Sequence, residues 1–359
     1  MKIAIILGTR PEIIKISPLI RELSSLEKEY LIIHTNQHYS ENMDKIFFEE
    51  LDLPPATFNL NIGSAPHGEQ TGKMLIEIEK VLKSQNPAVV LVEGDTNTVL
   101  AGALAASKLG IQVGHIEAGL RSYDRSMPEE TNRIVTDHIS DYLFAPTENA
   151  KQILLRESIP RDKIFVTGNT IVDALHQNLE ISQRKSNILS ELDLQKNKYF
   201  LVTMHRQENV DNKERLKKIL QGLSLVYEEF KLPLIYPIHP RTKKMVSEFG
   251  LKVSEHIKLI EPLGYLDFLQ LLTNSRLVLT DSGGIQEETC ILKIPCVTLR
   301  ENTERPETID AGGNLLAGYD PLKILDCTKL MISRQKNWEN PFGDGKASKK
   351  ILYLLYSKT

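Results

Sequence analysis

The chain is 359 residues long, more than one hydrophobic core usually serves, and its 41% hydrophobic and 25% charged content excludes a disordered or membrane-embedded class. Its 44 Lys and Arg against 47 Asp and Glu leave a net charge of −3, which argues against a general binder of nucleic acid or anionic membrane. Cys290, Cys296 and Cys327 have no His or second Cys at ligand spacing, so neither a metal site nor a disulfide framework is expected. The opening apolar run, Ile3–Leu7, is too short for a signal peptide, and no stretch has the length to cross a bilayer. The expected compartment is the cytoplasm.

In chain order, short apolar runs alternate with longer amphipathic ones. Ile3–Leu7, Leu31–Thr35, Val89–Glu93, Gln112–Ile116, Tyr142–Phe144 and Ile164–Val166 read as strands of a first half. Phe200–Thr203, Leu234–Pro237, Ile257–Ile260, Leu277–Leu279 and Cys296–Thr298 read as strands of a second. Most are apolar at both alternating positions, as parallel strands covered on both faces must be. Between them Pro11–Leu26, Gly68–Lys83, Thr96–Leu109, Pro128–Ser140 and Glu214–Phe230 carry helical patterns, so the fold class is α/β with parallel sheets. The pattern weakens only across the polar span Asn178–Lys198, which places a junction near Thr170–Lys198 and two units of similar size. A ligand is expected in a cleft between them, at the carboxyl ends of strands.

Polar residues cluster at those strand ends. Gly8-Thr9-Arg10-Pro11-Glu12 opens a helix after the first strand, where exposed amides are expected to face an anion, with Arg10 and Lys15 adding positive charge. Lys15 falls off the Ile13, Ile16, Ile20, Leu23 stripe, and a solvated lysine is the plainer reading of it. The loop lacks both the dinucleotide fingerprint and the P-loop, so no cofactor is expected. Asp281-Ser282-Gly283-Gly284 joins a strand to a helix and can cradle a diphosphate without metal, with Glu288 one turn on; helix capping by Asp281 or Ser282 explains it equally well. Asp95, Glu117 and Glu129 follow strands of the first half. Asp95 also fits an N-cap, and Ser126-Met127-Pro128-Glu129 a capping box with Glu129 near Arg133. Three carboxylates in one crevice suit proton transfer better than three separate caps. His205 at the end of Phe200–Thr203 reads as functional, His239 and His256 as loop histidines.

Taken in order, these segments closely resemble the non-hydrolysing UDP-N-acetylglucosamine 2-epimerases. The matching stretches run from Gly8-Thr9-Arg10-Pro11-Glu12 through Gly94-Asp95-Thr96, Gly114-His115-Ile116-Glu117-Ala118-Gly119-Leu120-Arg121 and Pro128-Glu129-Glu130-Thr131-Asn132-Arg133. They continue through Thr167-Gly168-Asn169-Thr170, His205-Arg206, Thr280-Asp281-Ser282-Gly283-Gly284, Thr303-Glu304-Arg305-Pro306-Glu307 and Asn340-Pro341-Phe342-Gly343-Asp344-Gly345. The resemblance implies two Rossmann-like domains of the kind seen in GT-B glycosyltransferases, residues 1–172 and 173–343, with the helix of residues 344–359 packing back on the first. It implies a homodimer that interconverts UDP-N-acetylglucosamine and UDP-N-acetylmannosamine for surface polysaccharide or glycan synthesis, with UDP as the departing group. It assigns substrate contacts to Arg10, Lys15, Asp95, Glu117, His205, Phe268, Ser282, Gly283, Gly284, Glu288 and Arg305, and catalysis to Asp95, Glu117, Glu129 and His205. Where some members carry Gln this chain has Leu263, so a contact there would use backbone. Gln37-His38-Tyr39-Ser40-Glu41-Asn42 keeps the Gln-His start of the second, activating nucleotide-sugar site of bacterial members and then departs from it.

The chemistry explains why such groups are needed. The sugar C2 proton adjoins no carbonyl, and no oxidising cofactor is implied, so the expected route is loss of UDP from C1 with proton removal from C2, then re-addition. Well-placed donors each contribute about 3–4 kcal/mol to the anion that forms, and inversion needs acid–base groups on two faces. A glycosyltransferase of the same architecture, a hydrolysing epimerase and a UDP-sugar sensor without turnover are the competing readings.

Overall fold

The computed structural model describes residues 1–36, 47–125 and 127–358. The segment Gln37–Asn42 and the capping residue Ser126 therefore lie outside the described residues.

By its internal contacts the chain divides into two units, one of Met1–Asn178 together with the segment from Phe342 onward, the other of Leu179–Pro341. The division falls inside a helix, Thr170–Lys185, where the sequence reading placed a polar junction and a boundary at residue 172. The division between Asn178 and Leu179 lies within the junction expected at Thr170–Lys198, and Asn178 and Ser182 are fully buried within that helix.

In the first unit, seven parallel strands among the described residues are β1 (Ile3–Leu7), β2 (Tyr30–His34), β3 (Phe58–Asn59), β4 (Val89–Glu93), β5 (Gln112–Ile116), β6 (Tyr142–Ala145) and β7 (Ile164–Val166), in the order β3-β2-β1-β4-β5-β6-β7. β1 is buried at all five positions. The helix Arg10–Ser25 covers it with Ile13, Ile16, Ile20 and Leu23, each of which contributes about 1.5–3 kcal/mol on burial. Pro18 inside that helix cannot donate to the Ile14 carbonyl, and the buried Ser17 hydroxyl fills the gap at 2.8 Å. The helix Asn97–Lys108 approaches closely because it is built of small residues; a Cβ on Gly102 would meet Ile6 and Val92 at 3.1–3.3 Å. The last helix, Ala347–Lys358, packs on the first, and its two leading amides donate to Asp173 at 3.1 and 3.0 Å.

The second unit repeats the plan with six described strands, β8 (Phe200–Thr203), β9 (Leu234–Pro237), β10 (Ile257–Ile260), β11 (Leu277–Thr280), β12 (Cys296–Thr298) and β13 (Asn314–Leu316), ordered β10-β9-β8-β11-β12-β13. Its core gathers Phe200, Val202, Leu234, Tyr236, Leu277 and Leu279 under Leu216, Ile219 and Leu223 of the helix Lys213–Phe230. In each unit the order is that of a Rossmann sheet, so the chain reverses direction across the sheet between β1 and β4, and again between β8 and β11. Crevices at the carboxyl ends of those neighbouring pairs are where such sheets hold ligands. Among the described residues no helix is long and apolar enough to cross a membrane, and no group of three or more His, Cys, Asp or Glu could hold a metal ion. The three cysteines are buried thiols.

Candidate active site

At the β1–β4 crevice the loop after β1 departs from its expected use. A Cβ on Gly8 would sit 2.2 Å from the hydroxyls of both Thr35 and Thr98, which bond to each other at 2.8 Å, so this glycine serves close packing. The Gly8 and Thr9 amides both donate to Glu12 Oε2, from Thr9 at 3.0 Å. Glu12 Oε1 accepts from the Thr96 hydroxyl, so one buried carboxylate ties the loop after β1 to the loop after β4. Burial pushes its pKa up to about 7, assisted by Asp95 and opposed by the bonds from Thr96, Gly8 and Thr9. Arg10 is exposed, its guanidinium 5.6 Å from the Phe47 ring centroid.

Lys15 is not the solvated lysine its helical position suggests. Its side chain is 11% exposed, and its Nζ lies 2.6 Å from Glu117 Oε1 and 3.2 Å from Glu93 Oε1. Glu117 sits at φ +71°, a left-handed conformation unusual for a side chain this large. It is held there by its own amide and that of Ala118, both donating to the Phe144 carbonyl of β6. Asn169 Nδ2 adds a bond to Glu117 Oε1 at 3.1 Å. Asn169 is fixed in turn by its amide on the Phe342 carbonyl at 2.8 Å, where the Gly168 and Gly343 backbones cross at positive φ. The motifs Thr167–Thr170 and Asn340–Gly345, distant in sequence, thus meet behind Glu117.

Asp95 is not a helix cap, since Thr96 takes that position and accepts the Val99 amide. The Asp95 carboxylate pairs with Arg133 and its carbonyl accepts from Asn132 at 2.9 Å, both donors on the helix Pro128–Ile139. Glu129 is half-buried in the first turn of the same helix, which starts after Met127 without a side-chain cap. Arg133 also pairs with Glu130, which accepts from the Ser122 and Tyr123 amides. Burial would raise the Glu130 carboxyl, but the bonds from Ser122 and Tyr123 and the charge of Arg133 outweigh it and hold it below the usual range. Farther along, Asp137 accepts from His115 Nδ1 at 2.7 Å and from the Gly119 amide at 3.2 Å, and pairs with Arg121 at 2.7 Å. His115 Nε2 reaches the Gly94 carbonyl at 2.8 Å. One helix therefore carries Glu129 and registers the loops that carry Asp95 and Glu117.

At the β8–β11 crevice, Asp281 is fully buried and draws the two strand ends together. It accepts from the amides of His205 at 3.1 Å and Arg206 at 3.0 Å and from Asn209 Nδ2 at 3.2 Å. Ser282 occupies the cap position of the helix Gly283–Ile291, but its hydroxyl makes no cap bond. Gly284 is exposed, and a Cβ there would meet the Ser282 hydroxyl at 4.0 Å, whereas a Cβ on Gly283 would meet Glu304 Oε1 at 2.7 Å. Around this helix start lie Arg206 and Arg300, which pair with Glu304 at 3.2 and 2.8 Å, and Arg305, whose Nε is 2.7 Å from Glu287. Burial raises the Glu304 carboxyl, but Arg305, Arg300 and Arg206 prevail and hold it down at about 2. Glu288 is buried with the Tyr265 hydroxyl 3.4 Å from its Oε1, and Phe268 is partly buried on the same helix as Tyr265, Tyr265–Asn274. His205 has 44% of its side chain exposed and an Nδ1 3.4 Å from Asp281. Its basicity is lowered, by burial first and then by Arg206, His239 and Arg300, against the pull of Asp281. His239 caps the helix Pro240–Glu248, and His256 stacks on Tyr227 at 3.8 Å.

Sequence reasoning missed Glu12, Glu93, Asp137 and Asn169 as parts of these clusters. Glu93 carried a signal, an acid ending a fully apolar strand, and Glu12 another, the capping-box spacing from Thr9, while Asp137 and Asn169 depend on contacts far apart in the chain.

The residues of both units coincide with a family model described as UDP-N-acetylglucosamine 2-epimerase, which matches residues 21–356. The chain is 60% identical over 361 residues to the UDP-N-acetylglucosamine 2-epimerase of Methanocaldococcus jannaschii, covering 99% of each. A crystal structure of the M. jannaschii UDP-GlcNAc 2-epimerase in complex with UDP-GlcNAc and UDP matches with a TM-score of 0.92 at 60% identity, over 99% of this chain and all of that one. A glycosyltransferase from Rickettsia africae, 15% identical with a TM-score of 0.59 over 99% of this chain and 98% of its own, shares the fold, which is GT-B-like. A family match over residues 21–356, with 60% identity over 99% of this chain and of its relative, means that the chain belongs to the UDP-N-acetylglucosamine 2-epimerase family.

Proposed function

We propose that this protein interconverts UDP-N-acetylglucosamine and UDP-N-acetylmannosamine by elimination and re-addition of UDP, without hydrolysing either sugar nucleotide. The observation that carries the reading is the pair of anchored acids at neighbouring strand ends, Asp95 after β4 on Arg133 and Glu117 after β5 on Lys15, in a chain 60% identical to an epimerase solved with UDP-GlcNAc and UDP. A protein that only bound a diphosphate would gain nothing from carboxylates so placed.

In the first step the C1–O bond breaks with its electron pair leaving on the β-phosphate of UDP, while a carboxylate takes the C2 proton and a C1=C2 double bond forms. The product pair is UDP and 2-acetamidoglucal. Arg10, Lys15, His205, Arg305 and the amides of Ser282–Gly284 stabilise the departing phosphate, Glu288 takes the ribose hydroxyls and Phe268 packs on the uracil side. Protonation of C2 on the opposite face and return of the UDP oxygen to C1 complete the inversion. Asp95 and Glu129 handle the protons, and Glu117, fixed by Lys15 and Asn169, orients the sugar. The working form is a cytoplasmic homodimer that supplies precursors for surface polysaccharide or glycan synthesis.

Proton NMR of the purified protein with UDP-N-acetylglucosamine in deuterated water tests this. The expected result is UDP-N-acetylmannosamine carrying deuterium at C2, with no free sugar and no acceptor required. D95N, E117Q and E129Q should each lower turnover by about two to four orders of magnitude while UDP still binds. Unlabelled product excludes the route, and full activity in all three variants removes the acid assignment.

A further inference from the structure

The proposed reaction leaves one buried acid without a task. Glu93 ends β4 at 2% exposure, directly before the loop that carries Asp95. The charged groups that face it are Lys15 and Glu12 from the helix Arg10–Ser25 and Glu117 from the turn after β5. Among the described residues one ammonium, Lys15 Nζ, stands 2.6 Å from Glu117 and 3.2 Å from Glu93, so it must divide its charge between them if both are ionised. Glu117 has the shorter contact and a second donor in Asn169. Ionising Glu93 as well would leave an excess negative charge in a site screened from water, a state that buried groups avoid by taking up a proton.

Building on the epimerase reading, we propose that Glu93 is a positioning residue held as a neutral carboxylic acid, which spares the charge of Lys15 for Glu117 and the departing phosphate. Burial pushes the Glu93 carboxyl well above the usual range, with Lys15 opposing and Glu117 and Glu12 adding to the rise. A carboxylic acid still offers Lys15 an oxygen without competing for its charge. When alkali removes the proton, Lys15 is shared between two anions, and negative charge is added where UDP must depart as an anion. Turnover should therefore fall on the alkaline side as Glu93 ionises.

The test combines infrared spectroscopy of the full-length protein with the pH profile of kcat. At about pH 8, where Glu12 with its pKa of about 7 has lost its proton, the wild type should retain a protonated-carboxyl C=O band that bleaches only at higher pH. E93Q should lack that band, hold kcat at neutral pH within about tenfold because its amide oxygen still accepts from Lys15, and lose the alkaline fall. A band unchanged in E93Q, or an E93Q profile that superimposes on wild type, overturns the proposal. Should E93Q not fold, the wild-type band decides, and its absence at that pH is fatal. A wild type with no turnover would sink the epimerase reading, while the infrared result would still decide the protonation of Glu93.

Discussion

Glu12 makes a quantitative test of the first unit. Its carboxyl is 2% exposed and accepts from the Gly8 and Thr9 amides and the Thr96 hydroxyl. Its pKa rises from 4.5 to about 7 on folding, with burial the leading cause. At about 1.4 kcal/mol per pH unit, that gap is worth about 3 kcal/mol. The folded chain holds this proton more tightly than the unfolded one, so the stabilisation is complete below pH 4.5 and is lost as pH rises through 7. The perturbation is E12Q, whose amide oxygen can keep the Gly8 and Thr9 bonds while its amide nitrogen donates to Thr96, a hydroxyl able to turn and accept. Gln has no proton to lose. The difference in unfolding free energy between E12Q and wild type should therefore move in favour of E12Q by about 3 kcal/mol between pH 4.5 and 7, and stay level above pH 8. Urea denaturation followed by circular dichroism measures it. The single tryptophan, Trp338, is buried in the second unit, so its fluorescence marks that unit's transition and should not respond. A difference that stays flat from pH 4.5 to 7 would show that Glu12 is ionised throughout, and the reasoning from burial would be refuted.

Two further substitutions probe the strand ends. G8A places a methyl group 2.2 Å from two hydroxyls and should destabilise the first unit by about 1–3 kcal/mol, read as a lower urea midpoint with the Trp338 signal unmoved. D281N removes the charge that gathers three donors between β8 and β11; it should cost the second unit about 2–4 kcal/mol, visible in Trp338 fluorescence, and weaken UDP binding in calorimetry. A variant that unfolds and binds like wild type would remove Asp281 from its place in the site.

The longer strands were legible in the sequence because parallel strands buried on both faces read as unbroken apolar runs; Val89–Glu93 and Phe200–Thr203 have the bounds their residues suggest. Phe58–Asn59 and Asn314–Leu316 were not, since an asparagine in each interrupts the apolar run that marks the other strands. The loop after β1 looked like an anion site because glycine and proline at a helix start are common to such sites and to capped helices. Thr9 and Glu12 stand at capping-box spacing, and in the structure Glu12 accepts from the Gly8 and Thr9 amides. Lys15 fell outside the apolar stripe and so resembled a surface residue, but the sheet edge it faces is lined with acids, and a polar flank there is as buried as an apolar one. Roles that depend on a partner far along the chain, such as Asn169 behind Glu117, had no local trace.

The crossing of the Gly168 and Gly343 backbones has a bearing on how the protein is made. The segment from Phe342 onward belongs to the unit that begins at Met1, so on the ribosome that unit must wait for the chain's closing stretch, long after its own strands have emerged. The intervening unit can collapse first. Until Phe342 arrives to accept the Asn169 amide, the prop behind Glu117 is missing. A nascent or prematurely terminated chain therefore has its sheets but not its finished acid cluster.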